Sequence, residues 1–317
     1  MKKVNIGYDI GGMSLKAGLV DNEGNVIFKD KRKVTERGNG LLFDKKVVEL
    51  AEKMIEYAKY NDLEIMGIGV GIPGTVNNDL CKIDVTTNLG INDHSLKYLK
   101  QYGYPVRLTN DANAATISEA KFGAAKGLKD VILLTLGTGI GGGVIANGQL
   151  YEGFEGKGTE LGHLIVKTNG FKCGCGRRGC LEAYCSASGL MKLTKIEMRK
   201  NKNSMMWEYC KGNIKNVDGL TSFECAKKGD ESANKVINEY VKYFGEGLLS
   251  LMNIFRPELI VIGGGISAQK EFLTDKLNAY CKEHLYGMRN YPAVKITYAT
   301  SGNDAGLIGA AHLLPIE

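Results

Sequence analysis

Apolar and polar positions alternate in two similar segments of the chain. Residues 4–21 (VNIGYDIGGMSLKAGLVD) predict a strand, a glycine turn and a second strand. Residues 130–148 (DVILLTLGTGIGGGVIANG) repeat this order, with GTGIGGG between the two apolar runs. Because glycine has no side chain, the backbone N–H groups of such turns are able to face an anion. Either segment alone is equally well a hairpin with a flexible turn, but two in one chain favour a pair of phosphate-binding loops.

The rest of the chain alternates strand-like and helical patterns. The predicted elements outside the hairpins are, in chain order, a helix at 42–61, a buried strand at 65–76, a strand feeding a helix at 105–123, a buried strand at 257–267, a strand at 294–300 and a closing helix at 303–314. A loop-rich stretch from 148 to about 182 precedes mostly helical patterns. This alternation predicts an α/β fold. Because no low-complexity linker is present, we expect any domain boundary, near residue 115, to be a hinge between compact domains.

Composition and charge narrow the class of protein. With 317 residues, of which 44% are hydrophobic and 24% charged, the chain is long enough for two domains and is not a disordered polymer. The net charge of +6 suits an anionic small molecule better than nucleic acid. The N-terminal segment lacks the apolar core of a signal peptide, and no apolar run approaches the ~18 residues of a transmembrane helix. We therefore expect a cytoplasmic protein without nucleic-acid or membrane partners.

Three of the eight cysteines lie close together in the run CGCGRRGC. Cys173, Cys175 and Cys180, with His163 upstream, form a Cys₃His set, which is a standard tetrahedral zinc site. The alternative is a loop of reduced cysteines without metal. One metal site in a cytosolic protein explains the spacing better than a disulfide framework does. Because no open ligand position is evident, the sequence predicts a structural Zn²⁺.

Two carboxylates flank this set of metal ligands. Glu160 precedes His163 by three residues, and Glu182 follows Cys180 by two. On a helix, Glu160 and His163 would share one face, and a metal-bound histidine keeps a second ring N–H for an oxygen acceptor. Carboxylates and an imidazole N–H near one point suit a polyhydroxylated ligand. The alternative for each glutamate, taken alone, is a surface residue.

A further carboxylate lies where a predicted strand meets a predicted helix, in TNDANAA. Asp111 is either the N-cap of that helix or a general base at the ligand-binding end of the strand. Asn110 beside it is a candidate for holding a hydroxyl group. In the first hairpin, Asp9 either holds Mg²⁺ through water or begins the turn. The pattern GxxxxGK[ST] is absent, so any phosphate binding is not of the P-loop type.

Taken together, these motifs resemble the ROK family of sugar kinases, and more narrowly its bacterial glucokinases. The matching segments are DIGG at 9–12 followed by Lys16, then NDANAA, LGTGIGGG, ExGH at 160–163, CGCGRRGCLE and NIFRPELIVIGGGIS. The resemblance extends from residue 4 to about residue 312. The combination of ExGH with CGCGxxGCLE is highly specific, whereas the glycine hairpins alone would fit many actin-like ATPases.

The resemblance implies the fold shared by actin, hexokinase and the heat-shock ATPases, in which two α/β domains are hinged around a nucleotide cleft. It implies a small N-terminal domain at 1–115, to which a closing helix at 303–317 returns, and a larger C-terminal domain at 116–302 with the zinc loop. In that family the counterpart of Asp111 is the catalytic base. The counterparts that bind zinc are those of His163, Cys173, Cys175 and Cys180.

Further site residues are implied by the same resemblance. The sugar-binding residues would be Gly74, Thr75, Asn88, Asn110, Asp111, Glu160, His163 and Glu182. The ATP-binding residues would be Asp9, Gly11, Gly12, Lys16, Gly137, Thr138 and Gly139 around the phosphates, and Gly264 and Gly265 beside the adenosine. The implied cofactors are ATP, Mg²⁺ and Zn²⁺, and the implied partners are a small-molecule hexose and further copies of the chain in a homodimer or homotetramer.

Three positions depart from the usual residues of the family. Met13 stands where members mostly have threonine after DIGG, so a hydroxyl contact is either lost or supplied by Ser14. Ile91 stands in place of an aromatic residue and Thr159 in place of a small apolar one. None of these changes removes an acid, a base or a metal ligand.

The activity implied is ATP-dependent phosphorylation of a hexose, first of all of glucose at its 6-hydroxyl. N-acetylmannosamine or another hexose is the alternative substrate, whereas the run CGCGRRGC argues against a fructokinase, whose metal run typically contains a histidine. A sugar-sensing regulator is a different class of protein. It is disfavoured because ROK regulators carry an additional N-terminal DNA-reading segment, while here the first hairpin begins within ten residues of Met1.

Overall fold

The computed structural model describes residues 1–34, 37–86, 89–287 and 292–316. By its internal contacts the chain divides into two compact units. Unit 1 comprises Met1–Leu133, Gly143–Thr159 and Thr300–Glu317, and unit 2 comprises Leu134–Gly142 and Glu160–Ala299. The domain boundary near residue 115 stays a prediction. By contacts, residues 116–133 belong with the N-terminal part of the chain.

Strands and helices alternate along the chain, as the sequence pattern predicts. The strands are β1 (Lys2–Ile10), β2 (Ser14–Asp21), β3 (Val26–Lys33), β4 (Leu63–Ile72), β5 (Thr75–Asn77), β6 (Lys82–Val85), β7 (His94–Ser95), β8 (Val106–Asn110), β9 (Val131–Leu136), β10 (Ile140–Ala146), β11 (Gln149–Tyr151), β12 (Leu259–Gly263) and β13 (Lys295–Tyr298). The α-helices are α1 (Gly40–Tyr60), α2 (Asp111–Lys121), α3 (Glu182–Cys185), α4 (Ala187–Lys200), α5 (Met205–Tyr209), α6 (Thr221–Lys227), α7 (Glu231–Phe255), α8 (Glu271–His284) and α9 (Ala305–Ala311).

The main sheet of unit 1 has the strand order β3-β2-β1-β4-β8. Strands β1 and β2 form the predicted first hairpin, with Asp9 opposite Lys16. Strand β4 runs parallel to both β1 and β8, so the carboxyl ends of these three strands lie at one edge of the sheet. The glycine turn of the first hairpin, which follows β1, and the start of α2, which follows β8, therefore lie at this same edge.

Helix α1 covers this sheet with an apolar face. Its N-cap Asn39 accepts the N–H of Leu42, which satisfies one of the otherwise unpaired donors of the first turn. Residues at helical spacing, among them Val47, Leu50 and Met54, are buried in the same core as the strands. The helix predicted at 42–61 is confirmed. It could be predicted from sequence because hydrophobic periodicity and a capping residue both act within a few positions of the chain.

Helices α2 and α9 approach each other closely within unit 1. A Cβ atom built on Gly309 would overlap the carbonyl oxygen of Ala114. The two helix backbones therefore touch at a point where only glycine leaves room. This contact joins the closing helix to the helix that begins at Asp111.

Replacing Gly309 by alanine is expected to lower the free energy of unfolding by about 1–3 kcal/mol, because the added methyl group must push two helices apart. Urea unfolding followed by circular dichroism measures this loss. Gly219→Ala is the matched control, since its Cβ would meet the Ala187 side chain at an ordinary 3.8 Å. Equal stability of the two variants would contradict the close approach of α2 and α9.

A second five-stranded sheet has the order β11-β10-β9-β12-β13. In unit 2, β12 and β13 pair in parallel, and α7 is the longest of the described helices. Asp230 caps α7 by accepting the N–H of Ala233, and the helix ends at Phe255, followed by the C-cap Arg256 with left-handed backbone angles. None of the helices in the described ranges is both long enough and apolar enough to cross a membrane.

Candidate functional site

Asp111 is the first residue of α2, directly after strand β8. The N-cap is Asn110, whose extended backbone ends the strand and whose Oδ1 accepts the N–H of Ala112 at 2.8 Å. The interpretation of Asp111 as the N-cap is therefore wrong, because capping requires the non-helical residue before the first turn. Asp111 is half-buried, and its Oδ1 also accepts the Ala112 N–H at 2.9 Å. This places a carboxylate at the carboxyl end of a parallel strand.

The side chain of Asn110 also holds the loop after β4. Its Nδ2 donates to the carbonyl of Gly74 at 3.0 Å. Gly74 has φ +146°, and a Cβ there would overlap the carbonyl of Val85, so no other residue fits without distortion. Thr75 follows as the first residue of β5. The predicted site residues 74, 75, 110 and 111 thus lie together, whereas Asn88 lies outside the described residues.

The first glycine turn (residues 11–13) joins β1 to β2. The N–H of Gly11 donates to the carbonyl of Ser14 at 2.8 Å, and Met13 is 83% exposed. Asp9 lies within β1, so it does not begin the turn. Its Oδ2 lies 3.0 Å from Lys16 Nζ. The first hairpin thus offers a carboxylate paired with an ammonium group beside an exposed turn.

Lys16 has a second partner from the C-terminal part of unit 1. Its Nζ donates to the carbonyl of Asn303 at 2.9 Å. The Asp9 carboxylate packs on α9, where a Cβ built on Gly306 would lie 2.9 Å from it. The start of the closing helix therefore holds both charged side chains of the first hairpin in place.

The second glycine turn (residues 137–139) is held by the segment that begins α4. Ala187 donates its N–H to the carbonyl of Gly137 at 2.9 Å, and the Ser188 hydroxyl donates to the carbonyl of Thr138 at 3.2 Å. In a planar trans peptide the N–H points opposite to the C=O. The N–H groups of Thr138 and Gly139 therefore point away from α4, which is the arrangement needed to bind an anion.

Two further glycines, Gly264 and Gly265, lie next to this turn. Gly264 follows β12, the sheet neighbour of β9, and a Cβ on it would lie against the backbone of Leu136, at the residue before the second glycine turn. Gly265 has open space where a Cβ would be. The glycines predicted to bind phosphate and adenosine in unit 2 are thus brought together by adjacent strands.

The cysteine–histidine cluster consists of the four predicted ligands, His163, Cys173, Cys175 and Cys180. Their ligand atoms all lie within 4.8 Å of one another. Cys173 Sγ lies 3.7 Å from His163 Nδ1, and Cys175 Sγ lies 3.7 Å from Cys180 Sγ. A tetrahedral zinc site with Zn–S bonds of about 2.3 Å places neighbouring sulfurs about 3.8 Å apart. The arrangement therefore fits one tetrahedral metal ion.

The thiols of the cluster differ in the direction of their pKa shifts. Burial raises the pKa of Cys173 to about 12, whereas the backbone N–H of Arg177 lowers the pKa of Cys175. A thiol with a raised pKa stays protonated at neutral pH, and a bound cation is what stabilises its thiolate. Because Nδ1 of His163 faces the sulfurs, its Nε2 is left for another partner.

The two glutamates near the cluster occupy different environments. Glu182 Oε2 accepts the N–H of Ile140 at 3.0 Å, and Oε1 lies 3.4 Å from Cys173 Sγ. Glu160 is exposed, and its carbonyl accepts the N–H of His163 in a short 3₁₀ turn rather than in an α-helix. In unit 2 the structure thus gathers His163 and Glu182 at the cluster, with the Glu160 backbone beside them.

Sequence reasoning did not find the residues that support the second glycine turn. Ala187 and Ser188 belong to no motif, and the only signal for them is their position shortly after Glu182. Glu182 itself was predicted as a sugar ligand, but its bond to Ile140 was not. These contacts join segments about 40 to 50 residues apart, which local patterns do not report.

The protein has the features of the actin-like ATPase class. It has two five-stranded sheets with helices between their strands, glycine turns after strands, and a half-buried aspartate at the end of a strand. The chain belongs to the ROK family, whose profile matches residues 5–316. A glucokinase of Streptomyces coelicolor is 32% identical over 314 residues, 98% of this chain and 97% of that protein. The ROK family glucokinase from Streptomyces griseus, solved with glucose and AMPPNP, has a TM-score of 0.81 at 32% identity, with 98% of each chain covered. The predicted fold and family are confirmed.

Relatives with other descriptions also match. A xylose repressor of Caldicellulosiruptor bescii is 31% identical over 98% of this chain and 77% of the repressor. The structure of a candidate N-acetylmannosamine kinase from Listeria monocytogenes has a TM-score of 0.75 at 27% identity, with 98% of this chain and 97% of that one covered. The family therefore includes both kinases and regulators similar to this chain.

Proposed function

We propose that this protein transfers the γ-phosphoryl group of ATP to a hexose, and that the hexose is glucose, phosphorylated at its 6-hydroxyl. The observation that carries this proposal is the half-buried carboxylate of Asp111 at the end of β8, held next to the loop of Gly74 by Asn110. The similarity to glucokinases over nearly the whole chain supports the same activity.

In this mechanism Asp111 accepts the proton of the attacking sugar hydroxyl. A sugar hydroxyl is a weak nucleophile, and a carboxylate within hydrogen-bond reach removes its proton as the new P–O bond forms. Phosphoryl transfer depends mostly on positioning and on stabilisation of charge. The N–H groups of Thr138 and Gly139 in the second glycine turn would bind phosphate oxygens, and Mg²⁺ brought with ATP would neutralise phosphate charge. Asp9 is available near the first turn to hold the ion through water.

The cysteine–histidine cluster would hold a structural Zn²⁺, which supplies a rigid tetrahedral cross-link. Cysteines that bind a metal do so as thiolates, which do not donate hydrogen bonds. Glu182 Oε1, which now lies 3.4 Å from Cys173 Sγ, would then accept a sugar hydroxyl. His163 would donate Nε2–H to the sugar, and Glu160 would accept a further hydroxyl. Because this role requires reduced cysteines, a cytoplasmic location belongs to the proposal.

A coupled assay of ADP release over a panel of sugars tests this function. The panel contains glucose, mannose, fructose, N-acetylmannosamine and N-acetylglucosamine, each with Mg²⁺ and ATP. We expect the highest kcat/KM with glucose. Absence of ADP release with every sugar would refute the kinase activity, and a clear preference for another sugar would refute glucose as the substrate.

Two other functions have specific support. N-acetylmannosamine is the second candidate substrate, because the structural likeness to the Listeria protein extends over 98% of this chain. A sugar-responsive regulator is the second class of function, because the Caldicellulosiruptor xylose repressor matches the chain at 31% identity. A gel-shift assay on genomic DNA fragments separates the regulator from the kinase. We expect no shift in the presence or absence of sugar.

A further inference from the structure

Glu182 is the side chain through which the cysteine–histidine cluster contacts the second glycine turn. Its Oε1 lies 3.4 Å from Cys173 Sγ, and its Oε2 accepts the N–H of Ile140 at 3.0 Å. A Cβ built on Gly139 would lie 2.5 Å from Oε2, so the carboxylate lies directly against the turn. Glu182 also begins α3, two residues after the buried Cys180. Because Glu182 follows the predicted ligand Cys180 by two residues, a metal ion that fixes Cys180 also fixes the start of α3, from which the carboxylate contacts the turn.

The bond to Ile140 sets the orientation of the last peptide of the turn. Because the Ile140 N–H points to Glu182, the carbonyl on the other side of the same planar peptide, that of Gly139, accepts the N–H of Gly137 at 3.0 Å. Ile140 is 6% exposed, so its N–H would be left buried without a partner if the carboxylate were removed. The turn would then reorient, and with it the N–H groups of Thr138 and Gly139.

We propose that Glu182 is a positioning residue that transmits the geometry of the cysteine–histidine cluster to the second glycine turn. Metal binding at the cluster then raises the affinity for the nucleotide as well as for the sugar. The nucleotide-binding role of the turn is taken from the proposed function above. This positioning role is additional to the sugar contact that the resemblance assigns to the same residue.

The test measures the Kd of Mg·AMPPNP without sugar, by isothermal titration calorimetry. Glu182→Ala is expected to raise this Kd about 10-fold, because it removes a charged acceptor from the Ile140 N–H. Glu182→Gln keeps an acceptor oxygen at the same place and is expected to stay within about 3-fold of the wild type. Removal of the metal from the wild type by a chelator should raise the Kd about as much as Glu182→Ala does. In Glu182→Ala, chelation should add little, because two changes to one contact path are not additive.

Glu283→Ala is the matched control. It removes an exposed carboxylate of unit 2, on α8, that belongs to none of the predicted sites. We expect its nucleotide Kd to stay within about 2-fold of the wild type. Hydrogen exchange of the Ile140 amide gives a local measurement that needs no nucleotide. Exchange should accelerate in Glu182→Ala and in the chelated wild type, and not in Glu283→Ala.

Unchanged nucleotide affinity in Glu182→Ala would overturn the positioning role, and so would a Glu182→Gln variant as weak as Glu182→Ala. If Glu182→Ala does not fold, the chelated wild type decides: unchanged Kd and unchanged Ile140 exchange would overturn it. Failure of the wild type to bind AMPPNP or to phosphorylate any sugar would instead refute the proposed function. In that case the exchange of the Ile140 amide still determines whether Glu182 links the cluster to the turn.

Discussion

Asp111→Asn is expected to lower kcat by about 10²- to 10⁴-fold, because the amide is unable to accept the proton of the sugar hydroxyl. The change preserves the shape of the side chain, and an amide oxygen still accepts the N–H of Ala112, which Oδ1 binds at 2.9 Å. We therefore expect the KM values for sugar and ATP to change by less than about 3-fold, since only an interaction of the transition state is lost. Steady-state kinetics with glucose as the varied substrate measure both quantities.

Asp79→Asn is the matched control for this variant. Asp79 is an exposed residue of unit 1, so the same chemical change there should leave kcat within about 2-fold of the wild type. The metal content of Asp111→Asn should equal that of the wild type, which separates loss of the base from loss of the fold. Near-normal turnover of a folded Asp111→Asn protein would remove Asp111 from the mechanism.

Cys180→Ser is expected to abolish metal binding and to weaken the use of the hexose. Cys180 is fully buried, with its Sγ 3.7 Å from that of Cys175. A serine hydroxyl is a poor replacement for a thiolate ligand. His163 and Glu182 would lose their fixed positions, so we expect kcat/KM for the hexose to fall by about 10- to 100-fold. Elemental analysis of the purified protein gives the zinc content, and a thermal unfolding curve gives the change in Tm.

Cys210→Ser is the control for the loss of a buried thiol. Cys210 lies outside the cluster in unit 2, is 1% exposed and has its Sγ 3.9 Å from Thr221 Oγ1. We expect this variant to keep the metal and the activity while losing some stability. A wild-type protein without zinc, whose sugar binding is insensitive to chelators, would contradict the role that we propose for the cluster.

Much of the fold and of the candidate site follows from patterns that are short in sequence. Helix α1 follows from apolar positions at a spacing of three and four residues and from the cap at Asn39. The first hairpin follows from two apolar runs around glycines. The cluster combines three cysteines within eight residues with a histidine ten residues before them. In each case the interacting groups are near neighbours, so spacing alone predicts that they meet.

Other features of the site depend on segments that are far apart in sequence. Asn110 binds Gly74 across 36 residues, Glu182 binds Ile140 across 42, and Lys16 binds Asn303 across 287. The correction at Asp111 has the same origin on a smaller scale, since strand β8 continues through Asn110 and thereby makes that residue the cap. A local pattern shows that a side chain is polar, but not which distant group lies within 3 Å of it.

The sequence by itself determined the family, many of the strands and helices and the set of residues that could hold a metal ion, because these depend on periodicity and on residues close together along the chain. Only the tertiary structure decided which partner each carboxylate and amide has. The reason is that a hydrogen bond requires distance and direction to be correct together, and both are set when sheets and helices pack. The contacts of Glu182 with the cluster and with the second glycine turn form only through this packing.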